Sequence, residues 1–211
     1  ILFFNTNRII MVLNNPVVDT HMSALFGKRL EAIRQEIKKQ PQIDREDIII
    51  KHFLSLLQAI GGTYTLHFRF VSPKAQRTSH HIIFVTKDET AYRIMKDIMA
   101  KASSSTRHLT NGFEYNPQLH NQLTLPGFDN PVGDLGERLV ADFEGQRNLT
   151  LRQIFRRHGK DNSITESEYR RALLELERQS RVFMRPVANE RQKDSLSNKV
   201  LIDFPDQTND S

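Results

Sequence analysis

The sequence contains no cysteine, so disulfides, thiolate metal sites and cysteine nucleophiles are excluded from its chemistry. This composition favours an intracellular, cytoplasmic protein, because disulfides accumulate in oxidising compartments. No apolar run approaches the roughly 20 residues that a membrane helix needs, so we expect no membrane span. The first residues also lack the basic segment with which a secretory signal peptide begins.

Several chemical signatures are missing as well. Neither a phosphate-cradling glycine loop nor a GxGxxG motif occurs, and Ser79 lacks the flanking glycines of a nucleophile elbow. The histidines lack metal-ligand spacing, and adjacent His80 and His81 on a strand would point to opposite faces of a sheet. The sequence therefore predicts neither a zinc site nor a serine hydrolase triad, and it shows no internal repeat.

What is present indicates a folded chain. Of the 211 residues, 38% are hydrophobic and 26% are charged, which is too apolar for disorder and enough for one large or two small domains. Lysine and arginine outnumber aspartate and glutamate by 30 to 25, and this modest excess is spread along the chain. Such a charge permits nucleic-acid binding but does not require it.

The chain begins with four apolar residues, Ile1 to Phe4, followed by the polar segment 5–8. This pattern predicts a buried strand that ends in a polar loop. Strands that are apolar on both faces are typical of the middle of parallel sheets covered by helices. We therefore expect the chain to be a C-terminal fragment whose sheet, within residues 1–101, exposes a large apolar patch where further strands would lie.

Residues 1–102 are predicted to form an α/β domain. Apolar residues at helical spacing indicate a helix over 19–39, which Gly27 can divide into two, and another from an Asp44 cap to Ile60. Residues 63–71 and 81–85 are typical of an antiparallel hairpin, and a further helix is expected at 88–102. Residues 103–130 are polar and irregular, so we predict a linker there.

The last third is predicted to be a separate domain at 131–205, followed by a tail at 206–211. Its apolar spacing indicates three helices, at 134–144, after a Thr150 cap, and after a Thr165 cap with Glu168 completing a capping box. Two strand-like runs follow, at 181–187 and 199–204. Three helices followed by a two-stranded hairpin is the layout of a winged helix-turn-helix domain.

The third helix of such a domain enters the major groove of DNA and contacts bases and phosphates with its outer face. The candidate nucleic-acid-binding residues are therefore basic side chains of this helix and of the wing, namely Arg170, Arg171, Arg178, Arg191 and Lys193. Alternatively, Arg170 and Arg178 pair with neighbouring glutamates on a solvated helix, and the domain docks a protein instead.

Two further polar clusters are candidate functional sites, and the first of them holds the candidate catalytic residues. Asn5, Asn7 and Arg8 follow the first strand, where open parallel sheets bind ligands, although the asparagines can equally form a turn and cap the next segment. Arg77, Ser79 and His80 precede the second hairpin strand, and we interpret them as a structured loop or a phosphate contact rather than a catalytic centre.

Five segments of the sequence carry a resemblance to a known family, namely FFNTNRI (3–9), LNNPVVDTHMSALFG (13–27), RTSHHIIFVTK (77–87), YRIMKDIMAKASS (92–104) and GFEY (112–115). In these segments, and on into the last third, the chain resembles the three-Cys-motif partner family of bacteria and archaea. It implies a Rossmann methyltransferase-like domain followed by a C-terminal winged helix, and a separate partner protein that carries the three cysteines.

Two functions remain open at this point. In the first, the chain is a nucleic-acid-associated fragment that binds DNA or another nucleic acid through its winged helix. In the second, it is part of a methyltransferase-like enzyme, and the winged helix docks the partner protein. The strands and the glycine-rich loop that would hold S-adenosylmethionine are not in this sequence, so we expect no cofactor and no turnover for this chain alone.

Overall fold

The computed structural model describes residues 1–41, 45–72, 74–75, 77–104, 113–117, 131–186, 190, 196–197 and 199–206. The described residues up to 104, together with 113–117, form one compact unit, here called unit 1, and those from 131 onward form unit 2. Both units combine helices with strands. The expectation of a mixed α/β chain is therefore confirmed.

Unit 1 is organised around a four-stranded mixed sheet with the order β1-β3-β2-β4. Its strands are β1 (Leu2–Phe4), β2 (Tyr64–Val71), β3 (Thr78–Thr86) and β4 (Phe113–Tyr115). Strand β3 pairs antiparallel with both β1 and β2, whereas β4 runs parallel to β2. The predicted hairpin is present, with a second strand that starts earlier than expected.

Strand β1 is not the buried central strand that the sequence predicts. It lies at an edge of the described sheet and pairs with an antiparallel neighbour. Only Phe4 is buried, at 7% exposure, whereas Ile1 and Phe3 are 76% and 70% exposed. A run of four apolar residues cannot distinguish a strand buried on both faces from one whose inner face alone is covered.

The segment after β1, predicted to be a polar loop, is a helix. Helix α1 (Thr6–Val12) starts directly after Asn5, whose side chain accepts a hydrogen bond from the Arg8 amide at 3.0 Å. An asparagine at this position satisfies an amide of the first turn that has no partner within the helix. In the sequence, this short helix is indicated by the N-cap residue Asn5 and not by apolar residues at helical spacing.

Four longer helices complete unit 1. They are α2 (Asp19–Phe26), α3 (Leu30–Lys39), α4 (Arg45–Ala59) and α5 (Glu89–Ala102). Gly27 separates α2 from α3 with a φ of +55°, a backbone conformation that residues with a Cβ rarely adopt. The predicted division at this glycine is confirmed, whereas the proposed Asp44 cap lies outside the described residues.

The helices cover the two faces of the sheet separately. Helices α1 to α4 enclose a core with Phe4 and Ile83 from the sheet, and Phe26, Ile33 and Ile49 are fully buried in it. Helix α5 packs on the opposite face, where Tyr92 stacks on Tyr64. Ile60, expected on the inner face of α4, is instead 80% exposed because the helix ends at Ala59.

The segment predicted as a linker contributes a strand to this sheet. Within it, β4 pairs with β2 through Phe113, Glu114 and Tyr115, and Phe113 is 5% exposed. Ser103 donates a side-chain hydrogen bond to the Glu114 carbonyl at 2.8 Å, which ties the end of α5 to the strand. Three residues are too few for an alternating pattern, so the sequence did not indicate this strand.

Unit 2 contains α6 (Pro131–Phe143), α7 (Leu151–His158) and α8 (Glu166–Arg178), followed by β5 (Phe183–Arg185) and β6 (Leu201–Asp203). The three predicted helices are confirmed, and both strands are shorter than expected. The residues predicted to face inward are all buried, namely Leu135, Leu139, Val140, Phe143, Leu151, Ile154, Phe155, Tyr169, Ala172, Leu173 and Leu176.

Candidate functional site

A short extended segment before α7 adds to the strands of unit 2. Leu149 and Ile202 exchange two backbone hydrogen bonds, of 3.0 Å and 2.7 Å, in an antiparallel bridge. Ile202 lies in β6, which pairs on its other side with β5. The order of elements along unit 2 is therefore helix, short extended segment, two helices and two strands, with the first extended segment beside the last strand.

Helix α8 is fixed at its start by the capping box that the sequence predicts. The Glu168 carboxylate accepts hydrogen bonds from the backbone amide and the hydroxyl of Thr165, at 2.7 Å and 2.8 Å. Tyr169 and Leu173 are fully buried on the inner face. The opposite face of α8 is consequently turned to solvent, since an amphipathic helix buries one side only.

The arginines predicted to bind nucleic acid lie on or beside this outer face. Arg170 forms an ion pair with Glu166 at 3.7 Å, and Arg178 forms one with Glu175 at 3.2 Å. Arg171 is exposed and has no ion-pair partner among the described residues. The alternative of pairing with neighbouring glutamates therefore holds for two of the three arginines. The wing candidates Arg191 and Lys193 lie outside the described residues.

The turn between α7 and α8 is held by a buried hydrogen-bond network around Tyr169. The hydroxyl of Tyr169 contacts His158 Nδ1 at 2.5 Å and accepts a hydrogen bond from the Asn162 amide at 2.9 Å. His158 also lies 3.2 Å from the Asp142 carboxylate of α6. Burial raises the pKa of Tyr169 to about 12, despite the opposing Asn162 hydrogen bond. The protonated tyrosine therefore links α8 to α7, and His158 extends the network to Asp142 of α6.

Changing Tyr169 to phenylalanine is expected to lower the free energy of unfolding of unit 2 by about 1–2 kcal/mol, because His158 and Asn162 lose a buried partner. The ring would still pack edge-on against Phe155, 5.3 Å away. Urea titrations followed by circular dichroism measure this. Tyr64→Phe is the matched control, because the Tyr64 hydroxyl has no partner within the described residues. Equal losses in both variants would contradict a role for the network.

A basic helix surface next to α8 was missed by the sequence reading. Helix α7 and the turn after it carry Arg152, Arg156, Arg157 and Lys160, and residues 151–160 contain no aspartate or glutamate. Of these side chains, Arg156, Arg157 and Lys160 are exposed. The sequence alone shows that this stretch has no acidic residue, but the prediction considered only the basic residues of the third helix and of the wing.

In unit 1, the two predicted polar clusters meet at one edge of the sheet. The Asn7 side-chain amide donates a hydrogen bond to the Thr78 carbonyl at 2.6 Å, which joins the start of α1 to the start of β3. Arg8, Arg77 and Ser79 are exposed there. Asn5 caps α1, which is the structural role that the sequence analysis gave as the alternative.

The adjacent histidines do point to opposite faces, as expected. His80 stacks between Phe3 and Phe70, with ring centroids 4.6 Å away on each side, and its Nδ1 contacts the Ser79 hydroxyl at 3.0 Å. His81 turns inward, is 1% exposed, and its Nε2 lies 2.6 Å from the Glu46 carboxylate of α4. Two consecutive residues of β3 therefore place one imidazole at the surface and the other in the core.

The inward face holds a buried polar cluster that the sequence did not predict. His67 on β2 lies with its ring centroid 5.7 Å from that of His81, and Nδ1 of each ring is buried without a hydrogen-bond partner among the described residues. Burial, followed by the charges of His81 and Arg69, lowers the pKa of His67 to about 4. Burial raises the pKa of Glu46, but the hydrogen bonds from His81 and Thr78 and nearby positive charges lower it more, so the net shift is downward.

Charged groups on β2 and β4 border this cluster. Arg69 on β2 makes a two-nitrogen contact with the Glu114 carboxylate of β4, with a 2.8 Å bond from its Nε. On the other face of the sheet, Lys96 is fully buried, and its ammonium lies over the Tyr92 ring at 5.4 Å. The Arg69–Glu114 contact joins β2 to β4, whereas the contact of Lys96 with Tyr92 lies within α5. Among the described residues, no three histidine, aspartate or glutamate side chains are grouped so as to hold a metal ion.

Comparisons with known proteins give no match: no family model, curated protein or solved structure is significantly similar to the chain. No helix among the described residues has the length and apolar character needed to cross a membrane.

Proposed function

We propose that unit 2 is a winged helix-turn-helix domain that binds nucleic acid through the outer face of α8. The observation that carries this proposal is the bridge between Leu149 and Ile202. It adds a third extended segment to the β5–β6 pair, so that helix, strand, helix, helix, strand and strand follow one another. That order, with the first strand next to the last, is the arrangement of winged-helix domains, and it makes α8 the recognition helix.

The chemistry of α8 is compatible with this role. Arg170 and Arg171 lie in its first half, the part of a recognition helix that approaches base edges and phosphates. The ion pair of Arg170 with Glu166 is long and partly exposed, so it is weak and can exchange for a phosphate contact. Arg191 and Lys193 lie in the sequence between β5 and β6, the position of a wing. The resemblance to the three-Cys-motif partner family points to the same domain type.

Replacing Arg170 and Arg171 together by alanine is expected to weaken binding of a double-stranded oligonucleotide at low salt. Two phosphate contacts would be lost, so the slope of log affinity against log salt should become shallower by about 2. Fluorescence anisotropy over a salt series measures both quantities. The melting temperature should barely change, since exposed helix substitutions usually cost less than about 0.5 kcal/mol.

The matched control is Arg138→Ala with Arg147→Ala, because both arginines are exposed in unit 2 but lie outside α7 and α8. The control should bind like the original chain. Unchanged affinity in the α8 variant, at an unchanged melting temperature, would remove the recognition-helix proposal. The docking of a partner protein would then be the better account of unit 2.

A second candidate is that unit 1 forms part of a methyltransferase-like enzyme, with unit 2 as a docking module for a separate protein bearing three cysteines. The favouring observation is the order β1-β3-β2, in which an antiparallel strand lies between two strands that are parallel to each other. This is the arrangement at the closing edge of Rossmann methyltransferase-like sheets, and the family resemblance implies the same fold.

For this candidate we expect the chain as it stands to give no binding heat with S-adenosylmethionine in calorimetry. Cofactor binding at such sheets depends on backbone amides of the first strand–helix turn, and residues 1–211 include no glycine-rich turn of that kind. Stoichiometric binding would contradict this expectation, because a pocket would then have to be built from the residues of unit 1 described above.

A further inference from the structure

Strand β1 leaves one edge of the sheet of unit 1 unprotected. It pairs with β3 in a regular register, with Leu2 opposite Ile83 and Phe4 opposite His81, and no described strand lies on its other side. Natural sheets protect their edges with charged residues, prolines or bulges. None of these occurs in β1, and the first charged side chain of the sequence is that of Arg8. The outer backbone groups of β1 are therefore able to pair with another strand.

The side chains at this edge are apolar and exposed. Ile1, Leu2 and Phe3 are 76%, 38% and 70% exposed. Elsewhere in the described part of the chain, exposed large apolar residues do not occur at consecutive positions. Contiguous apolar surface that is open to solvent is typical of an interaction site. A strand added to this edge would therefore gain from the burial of apolar surface as well as from backbone hydrogen bonds.

An aromatic stack ends at the same edge. His80 of β3 lies between Phe70 and Phe3, with ring centroids 4.6 Å away on each side. One face of the Phe3 ring rests against the imidazole, and the rest of this side chain is open to solvent. The stack orders the Phe3 ring before any partner arrives. An apolar side chain that is already ordered loses less conformational entropy on binding.

The residues of the edge are complementary to a second copy of themselves. Two identical strands can pair antiparallel about a two-fold axis, so that the same surface is used on both sides. With the axis at Leu2, Ile1 of each copy lies opposite Phe3 of the other copy. Residues 1 and 3 project from the same face of a strand. The two most exposed side chains of the edge would then cover each other, while Leu2 contacts its own counterpart on the opposite face.

We infer that β1 is a homodimer interface, in which two copies of the chain pair their β1 strands antiparallel about a two-fold axis at Leu2. The two four-stranded sheets would join into one sheet of eight strands. This edge is also the place at which the sequence predicts further strands, and a second copy is the occupant that residues 1–211 can supply. Since only three residues of each copy pair, the interface is small and the dimer is expected to be weak.

The first test is sedimentation of the full chain over a concentration series that reaches about 500 μM, where small interfaces associate. The original chain should form dimers as the concentration rises. Phe3→Lys should raise the dissociation constant by about tenfold, because an apolar contact is lost and a charge is placed against Ile1 of the other copy. Ile60→Lys is the matched control, since Ile60 is 80% exposed in unit 1 but lies outside the sheet, and it should dimerise like the original chain. Circular dichroism melts check that both variants fold.

The second test is disulfide trapping, which does not depend on Phe3→Lys keeping its fold. The chain has no cysteine, so Leu2→Cys introduces a single thiol. Residues directly opposite each other in an antiparallel pair have Cα atoms about 4.5–5.5 Å apart, which a disulfide can span. Mild oxidation should convert Leu2→Cys into a covalent dimer, whereas Ile60→Cys, which is also at an exposed position, should stay largely monomeric.

The outcomes decide the inference in either direction. A dimer that Phe3→Lys weakens and Ile60→Lys does not, together with selective trapping at Leu2, would support it. A chain that stays monomeric at every concentration, or a dimer that Phe3→Lys leaves intact, would overturn it. Equal trapping of the two cysteine variants would overturn it as well, and the edge would then be open to a strand from a different protein.

Discussion

Replacing Glu46 by leucine is expected to lower the free energy of unfolding of unit 1 by about 3 kcal/mol. A buried polar group that loses its hydrogen-bond partner costs about 1–3 kcal/mol, and a charged group costs more. The Glu46 carboxylate is the hydrogen-bond partner of His81, whose side chain is 1% exposed. Since Nδ1 of His81 is already without a partner among the described residues, the variant would leave the whole imidazole unsatisfied. Urea titration measures the loss.

A second glutamate–histidine pair, between α3 and α4, provides the control. Glu36 contacts His52 at 2.9 Å, but the two side chains are 41% and 19% exposed. Partly exposed pairs contribute about 0–1 kcal/mol, so Glu36→Leu should have a small effect. Glu46→Gln, which keeps an acceptor oxygen, should recover most of the stability. Equal losses for the two leucine variants would contradict the importance of burial.

The stability of unit 1 is expected to fall by about 3 kcal/mol between pH 6.5 and pH 4, because the folded His67 resists protonation over this range. Burial and the charges of His81 and Arg69 lower its folded pKa to about 4, whereas the unfolded histidine keeps its ordinary value of 6.5. The unfolded state therefore binds the proton first as the pH falls. Glu46 adds to this loss of stability as the pH falls through the ordinary glutamate range. Its pKa is lowered in the folded chain, so the unfolded state again binds the proton first.

Urea titrations at a series of pH values test this expectation. His67→Phe, which fills a similar volume without a titrating group, should flatten the dependence between pH 6.5 and pH 4. His21 is exposed, so His21→Phe should leave the dependence unchanged. If the stability of the His67→Phe variant still falls by the same amount over this pH range, other groups cause the acid sensitivity.

The sequence predicted unit 2 better than unit 1 for a physical reason. Its helices are amphipathic and begin with caps such as Thr150 and Thr165, so local patterns alone locate them. The extended segment at Leu149 consists of a single bridged residue, and no periodic pattern can indicate it. The feature that supports the winged-helix proposal most strongly was therefore beyond a local reading of the sequence.

Strand order limited the prediction for unit 1. The composition of Ile1 to Phe4 is compatible with a central or an edge strand, and the residues that pair with β1 are 77 to 81 positions away in the chain. The cluster of Glu46, His67 and His81 likewise depends on long-range pairing, since its members come from α4, β2 and β3. Adjacent residues were informative only where alternation decides the face, as with His80 and His81.

The candidate arginines of the third helix were placed on the correct element, but the charge balance around them was not foreseen. The sequence placed Arg170 and Arg171 on the third helix, and the structure has them there. Reading helices one at a time gave weight to α8 and none to α7, although Arg156 and Lys160 lie in α7 and in the turn that follows it. Adding up the charges of neighbouring predicted helices would have predicted the basic surface of α7 from the sequence alone.

The measurement that tests the central claim most directly is a map of backbone amide shifts by nuclear magnetic resonance during titration of the full chain with a DNA duplex. We expect the largest shifts in α7, in α8 and in the turn between them, with those in α1 to α5 unchanged. Shifts confined to unit 1, or none at concentrations that saturate the anisotropy signal, would contradict nucleic-acid binding through unit 2.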